Sequence, residues 1–267
     1  MPKGVSGSEA GARDVLRMME GDLRQMLEAE AVAYRDFLAQ RRAELVSRIE
    51  DACRRAGRSS SEVELMAVSK TVGPDEVVLA REVGYTAFGE NRPQELKRKI
   101  SALKDNPTCS DITFDMIGNL QKNKVNQVLG QVRLVHSVSS MHLAEALDSR
   151  SKTRGLVTSC LIEVNVSGEE SKSGFSVGEA REAARVIQEM EGLSLKGLMC
   201  MAPAYDLGVA RRSFSGLRDL KDELEGSLGT GLPVLSCGMS GDFEVAVEEG
   251  STILRLGRIV FDQNFQE

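Results

Sequence analysis

Between residues 63 and 256, short apolar runs rich in β-branched residues alternate with longer stretches of helical patterning. The runs are Val63–Ser69, Thr86–Gly89, Thr113–Ile117, Leu134–Ser137, Thr158–Val166, Leu195–Met199, Val234–Ser236 and Ile253–Leu256. Helical patterns between them include Asp75–Val83, Leu120–Leu129, Val177–Met190, Val209–Leu228 and Asp242–Glu249. Strands joined through helices are crossover-connected, and crossovers build parallel sheets. Eight such strands close a barrel, and 267 residues is a fitting length for one. The expected fold is therefore α/β, a single (β/α)8 TIM barrel. A doubly wound open sheet is the alternative.

Ahead of the barrel, the first ten or so residues are small and polar and are expected to lack order. Leu16, Met19, Leu23 and Met26 then recur at helical spacing, followed by Leu38, Leu45, Ile49 and Cys53. Gly57 is a good stop for such an amphipathic helix. The expected organisation is an N-terminal extension over 1–44 and a barrel over 45–267, with no linker rich in Pro, Gly or Ser after Glu62. An amphipathic helix usually buries its stripe within its own domain, so this one is expected to pack on the barrel rather than on a second subunit.

Composition narrows the partners. A net charge of −6, aromatics at 4% and no Trp argue against nucleic-acid binding. No stretch reaches the length of a membrane span, and the N-terminus lacks the apolar core of a secretion signal. The five cysteines, Cys53, Cys109, Cys160, Cys200 and Cys237, include no CxxC pair. They are expected to be reduced thiols in a cytoplasmic protein without a structural metal. His136 and His142 are the only histidines, too few for a His-rich metal site.

In a parallel barrel, reactive side chains come from the C-terminal ends of the strands. Lys70 ends the first run, in Ala67-Val68-Ser69-Lys70-Thr71. A lysine amine is nucleophilic when desolvation or a nearby cation helps it lose its proton, although a strand-end lysine also occurs as a plain surface cation. Asn91, Asn119, His136, Asn165, Lys172, Met199 and Met201 follow or end later runs. Gly238-Met239-Ser240, Ser251-Thr252 and Arg255-Leu256-Gly257 place small residues around the last two strands, where barrels often bind phosphate. Ordinary turn chemistry also uses Gly and Ser. Asp242, Glu244, Glu248 and Glu249 fit the solvated face of a helix rather than a pair of catalytic acids.

Eight segments, in order, resemble the pyridoxal 5′-phosphate (PLP) homeostasis proteins, a family similar to the N-terminal domain of alanine racemase. They are AVSKT (67–71), FGEN followed by QE (88–95), IGNLQKNK (117–124), HSV (136–138), EVNVSGEESKSGF (163–175), GLMCMAP (197–203), GMSGDFEVAVEEGST (238–252) and RLG (255–257). The resemblance covers about Leu45 to Phe261 and implies the same barrel. It implies that Lys70 holds PLP as a Schiff base. Gly238, Met239, Ser240, Ser251, Thr252 and Gly257 then correspond to the phosphate-binding segments, with Met199 and Asn91 beside the ring. Arg255 corresponds to the partner of the pyridine nitrogen, and Lys172 to a lysine linked to PLP release. Asn119 stands where the family usually has His, which removes a ring-edge histidine from the expectation.

The implied function is PLP homeostasis: buffering the cofactor and delivering it to PLP-dependent apo-enzymes, as a monomer or weak homodimer. Robust catalysis is not expected. Racemisation needs acid/base groups on both faces of the cofactor, and the domain that supplies the second group in alanine racemase has no counterpart after the last strand. An arginine against the pyridine nitrogen also weakens the ring as an electron sink. Two alternatives remain: a weak amino-acid (alanine) racemase, and a Schiff-base aldolase-like barrel enzyme acting on a phosphorylated substrate.

Overall fold

The computed structural model describes residues 7–168, 173–203 and 206–266, with side chains from residue 25 onward. Eight strands, β1 (Glu64–Val68), β2 (Ala87–Glu90), β3 (Thr113–Met116), β4 (Val135–Val138), β5 (Thr158–Glu163), β6 (Leu193–Met199), β7 (Val234–Ser236) and β8 (Ile253–Leu256), form a closed barrel in sequence order. All neighbours are parallel, and β1 closes on β8 with Ala67 opposite Leu256. This is the expected (β/α)8 barrel.

The helices are α1 (Gly7–Arg55), α2 (Pro74–Glu82), α3 (Pro93–Leu103), α4 (Met141–Thr153), α5 (Val177–Gln188), α6 (Leu207–Leu228), α7 (Phe243–Glu248) and α8 (Arg258–Phe261). Local chemistry sets their starts. Pro93 opens α3, where its missing N–H costs nothing. The Ser140 hydroxyl accepts the Leu143 N–H to cap α4. The expected helix at 120–129 is instead a short 3-10 turn, Lys122–Gln127. Val125, Val128 and Leu129 keep helical spacing, but Asn123 and Asn126 favour turns. The fifth run is also shorter than expected, β5 ending at Glu163 with Val164 in an isolated bridge to Phe175.

Helix α1 runs unbroken through residue 45. From Tyr34 onward it is barrel-bound. Leu38, Leu45, Ile49, Ala52 and Cys53 are buried, the Tyr34 hydroxyl donates to the Phe261 carbonyl at 2.8 Å, and Arg48 and Arg55 pair with Glu244 and Glu248 of α7. Nearer the N-terminus Met26, Leu27 and Val32 are exposed.

Alternation along the strands divides the barrel interior into two layers. Met66, Ala87, Leu134, Leu161, Met199 and Ile253 form an apolar plug. Two residues further along their strands come polar groups, all buried: His136 after Leu134, Glu163 after Leu161, Ser236 after Val234 and Arg255 after Ile253. Asp115 of β3 joins them. The barrel is thus greasy below and polar toward its C-terminal mouth.

Candidate functional site

Lys70 lies two residues beyond Val68, whose side chain faces Gly89 and Gly257. It lies in the turn that follows β1, at the C-terminal end of the barrel, and is exposed. Its backbone is held from behind. Fully buried Lys99 of α3 donates to the Ser69 carbonyl at 2.6 Å and pairs with Glu90, which accepts the Ser69 hydroxyl at 2.6 Å. Nothing in the sequence reading pointed to Lys99. The one available signal was Glu90 within the FGEN motif, nine positions upstream.

Around the rim, the loops after β7 and β8 meet. Gly238 has φ +96°, and a Cβ there would lie 2.7 Å from that of Ala246 and 2.9 Å from Leu254. The Gly238 carbonyl accepts the Arg255 N–H at 3.0 Å, the Asp242 carboxylate accepts the Met239 N–H at 2.6 Å, and the buried Ser240 hydroxyl accepts the Ile259 N–H at 3.4 Å. These contacts gather the backbone N–H groups of Ser240, Gly241, Gly257 and Arg258. None of the four donates to a protein acceptor among the described residues. A cluster of unspent N–H groups is a site for an anion.

Arg255 sits below this cluster, 5% exposed, its guanidinium donating to the Ser236 hydroxyl at 2.6 Å and the Cys200 carbonyl at 2.9 Å. No carboxylate pairs with it among the described residues. Burial pushes it below the usual guanidinium range, opposed by Cys237, Cys200, Asp242 and Glu163 nearby. Burial likewise pushes Glu163 and Asp242 up, and Arg255 opposes both. The His136 ring bridges Ser236 (Nδ1, 2.8 Å) and Asp115 (Nε2, 3.0 Å), a connection not read from the sequence.

The structure therefore brings Lys70, Asn91, Gly238, Met239, Ser240, Arg255 and Gly257 to one mouth. Asn91 is half-buried on the rim, and its carbonyl lies 2.4 Å from where a Cβ on Gly118 would sit, so the β3 loop needs glycine there. Met199, the last residue of β6, is buried beside Glu163 and Ser236 in the strand register and packs on the apolar plug. Ser251 and Thr252 are placed differently from expectation. They precede β8, and their side chains are spent on the backbone around β7. The Ser251 hydroxyl donates to the Cys237 carbonyl at 2.7 Å. Thr252 accepts the Leu235 N–H at 2.9 Å and lines a cavity of about 350 Å³ at the opposite end of the barrel. Asn119 is exposed on the loop after β3, and Lys172 lies outside the described residues. The five cysteines are unpaired and buried, no cluster of His, Cys, Asp and Glu fit for a metal occurs among the described residues, and no helix there is long and apolar enough to cross a membrane.

Residues 43–264 match the model of the alanine racemase N-terminal domain family. The chain belongs to that family. Within it, the chain is 40% identical over 225 residues to the pyridoxal phosphate homeostasis protein of Aquifex aeolicus, a match covering 84% of this chain and 97% of that one. Among solved structures, PipY of Synechococcus elongatus with PLP bound superposes with a TM-score of 0.73 at 30% identity, covering 84% of this chain and 99% of PipY. An alanine racemase from Clostridium difficile shares the barrel at TM-score 0.63 and 13% identity, with 57% of its own length covered. Membership in the alanine racemase N-terminal domain family thus accounts for the barrel and for the order of the sequence motifs along it.

Proposed function

We infer that this protein binds PLP at the barrel mouth, with Lys70 as covalent anchor, and serves in cytoplasmic PLP homeostasis by holding the cofactor and passing it to apo-enzymes. The observation carrying this reading is the cluster of four unspent N–H groups on the same rim as Lys70 and Arg255. When bound, PLP supplies an aldehyde that condenses with a primary amine, together with a phosphate and a pyridine nitrogen. The residues present fit each part. Ser240, Gly241, Gly257 and Arg258 offer N–H donors to the phosphate, and Gly238 supplies the left-handed turn that aims the first two. Arg255 keeps further guanidinium donors for the ring nitrogen. Lys70 offers its amine from a backbone fixed by Lys99 and Glu90. Ser251 and Thr252 act on the strand backbone and support the loop indirectly.

Two observations favour holding over turnover. The cation at Arg255 disfavours electron withdrawal into the ring. Of the two tyrosines among the described residues, Tyr34 is committed to the Phe261 carbonyl and Tyr85 is buried away from the mouth, so neither supplies a second proton-transfer group. The test is to titrate the purified protein with PLP and follow the visible absorption, then reduce with borohydride and locate the adduct by peptide mass spectrometry. A band that is fixed on Lys70 and is missing in Lys70→Ala supports the reading. A protein that stays colourless, or an adduct on another lysine, overturns it. Delivery is tested separately, by restoration of activity to a PLP-dependent apo-enzyme mixed with the loaded protein.

A further inference from the structure

Four buried polar side chains in the barrel interior have their protons fixed by elimination. Arg255 is a donor only, so the Ser236 oxygen accepts from it at 2.6 Å. The Ser236 hydroxyl proton must then go elsewhere, and the acceptor within reach is His136 Nδ1 at 2.8 Å. His136 therefore carries its proton on Nε2 and donates to Asp115 at 3.0 Å. Asp115 in turn accepts two bonds from Arg133, at 3.1 and 2.6 Å, and Arg133 also forks onto Glu64 at 2.6 and 2.7 Å. Donation thus runs from Arg255 through Ser236 and His136 to Asp115, where it meets the bonds that Arg133 donates from the other side.

We propose that Asp115, His136 and Ser236 form a positioning relay that holds the Arg255 guanidinium toward the cofactor ring. The proposal rests on the reading of Arg255 as the ring-nitrogen partner. In a barrel interior of this kind a protonated imidazole would have to donate from Nδ1 as well, displacing the Ser236 proton and setting a second cation beside Arg255. The groups facing His136 are Asp115 from β3, Arg133 from the segment before β4 and Arg255 from β8, with Glu64 of β1 beyond Arg133 and Glu163 of β5 beyond Arg255. Burial pushes the imidazole down, Asp115 opposes, and the two arginines push it down further. Burial pushes Asp115 up, but its bonds from His136 and Arg133 prevail and keep it ionised. The relay thus holds one anion next to Arg133 and leaves Arg255 without a counter-ion.

Because the chain has two histidines, its imidazole nitrogens can be resolved by long-range ¹H–¹⁵N correlation in the cofactor-free protein, with His142→Gln assigning the pair. The expected result is a neutral Nε2–H ring at His136 that does not titrate as pH falls through about 6.5. An Nδ1–H tautomer, or titration at the ordinary value, overturns the relay. The second measurement is the Kd for PLP and the pH profile of the visible band in Ser236→Ala, which keeps the strand but cuts the link. The expectation is binding weakened roughly tenfold and a shifted profile, both recovered in Ser236→Thr. Unchanged affinity and profile in Ser236→Ala overturn the relay alone. Absence of PLP binding in the unsubstituted protein overturns the functional reading and the role of the relay with it.

Discussion

Two buried charged clusters lie on opposite sides of the barrel wall. Outside it, Lys99, Glu90 and Ser69 close on one another between the strands and α3. Inside it, Asp115, His136 and Ser236 form an open chain that ends at Arg255 and the mouth. The outer cluster spends its donors on the backbone just before Lys70. The inner one keeps guanidinium donors in reserve. Burial of charge by itself therefore does not mark a binding group. What distinguishes the two is whether donors are left over on the side that a ligand can reach.

The sharpest way to break the comparison is Lys99→Met. It strands the Glu90 carboxylate, one of whose oxygens already lacks a partner among the described residues, in the space behind β2. Removing one partner of a buried pair costs about 3–5 kcal/mol. Urea unfolding should show a loss of that size, whereas the double change Lys99→Met with Glu90→Met should recover part of it. A loss below about 1 kcal/mol for the single change would mean that the cluster is hydrated and does not fix the strand end.

Next in size is Gly238→Ala, which acts at the edge of the inner system. A left-handed φ together with contacts of 2.7 and 2.9 Å for the new methyl predicts about 1–3 kcal/mol of strain. Because the loop aims the Ser240 and Gly241 N–H groups, Kd for phosphate-bearing ligands should rise along with the loss of stability. Stability lost with Kd unchanged would separate the loop from the anion site.

The contrast between clusters also explains what was legible in the sequence. Strands read well because each is a run of apolar residues bounded by turn signals, and Val234–Ser236 and Ile253–Leu256 coincide with β7 and β8. The placement of Lys70, Arg255 and the Gly238 loop at the mouth was legible because each stands at or just after a strand end within a motif. The relay was not. Asp115 and Ser236 sit inside apolar-looking runs, and only closure of the barrel brings β3, β4, β7 and β8 together across its interior. Lys99 carried no signal of its own, since burial on a particular helix face depends on what packs there. Ser251 and Thr252 misled because Gly-Ser-Thr before a strand and Gly-Met-Ser after one have the same composition, while their ends of the barrel differ.

A pH profile tests the inner cluster through stability alone. His136 has its folded value below the ordinary one, so the unfolded chain binds more protons in the interval between them. The contribution is present above about pH 6.5 and is lost as pH falls toward the folded value, with a slope up to about 1.4 kcal/mol per pH unit. Asp115 is also held below its ordinary value, so its contribution disappears only at lower pH, in the carboxylate range. Replacing His136 with Gln should flatten the slope between about pH 6.5 and 5 relative to the unsubstituted chain. Parallel curves would mean that His136 is protonated in the folded state.

The smallest expected effect concerns how α1 is fastened, and it sharpens the comparison by touching neither cluster. Tyr34→Phe removes only the hydroxyl that donates to the Phe261 carbonyl at 2.8 Å, so the cost should be about 0.5–1.5 kcal/mol, with PLP affinity unchanged. The same contact revises where the chain can be shortened. A truncation at Leu45 discards Tyr34, Phe37 and fully buried Leu38, and it uncovers the surfaces of α2 and α8 that they cover. A truncation at Val32, by contrast, removes side chains that are exposed in the described part of the helix. The shorter cut should therefore keep both the unfolding midpoint and ligand binding, and the longer one should lower the midpoint by more than Tyr34→Phe does. If the two truncations unfold alike, the segment from Tyr34 to Leu38 does not belong to the barrel core, and the domain boundary falls at 44 and 45 after all.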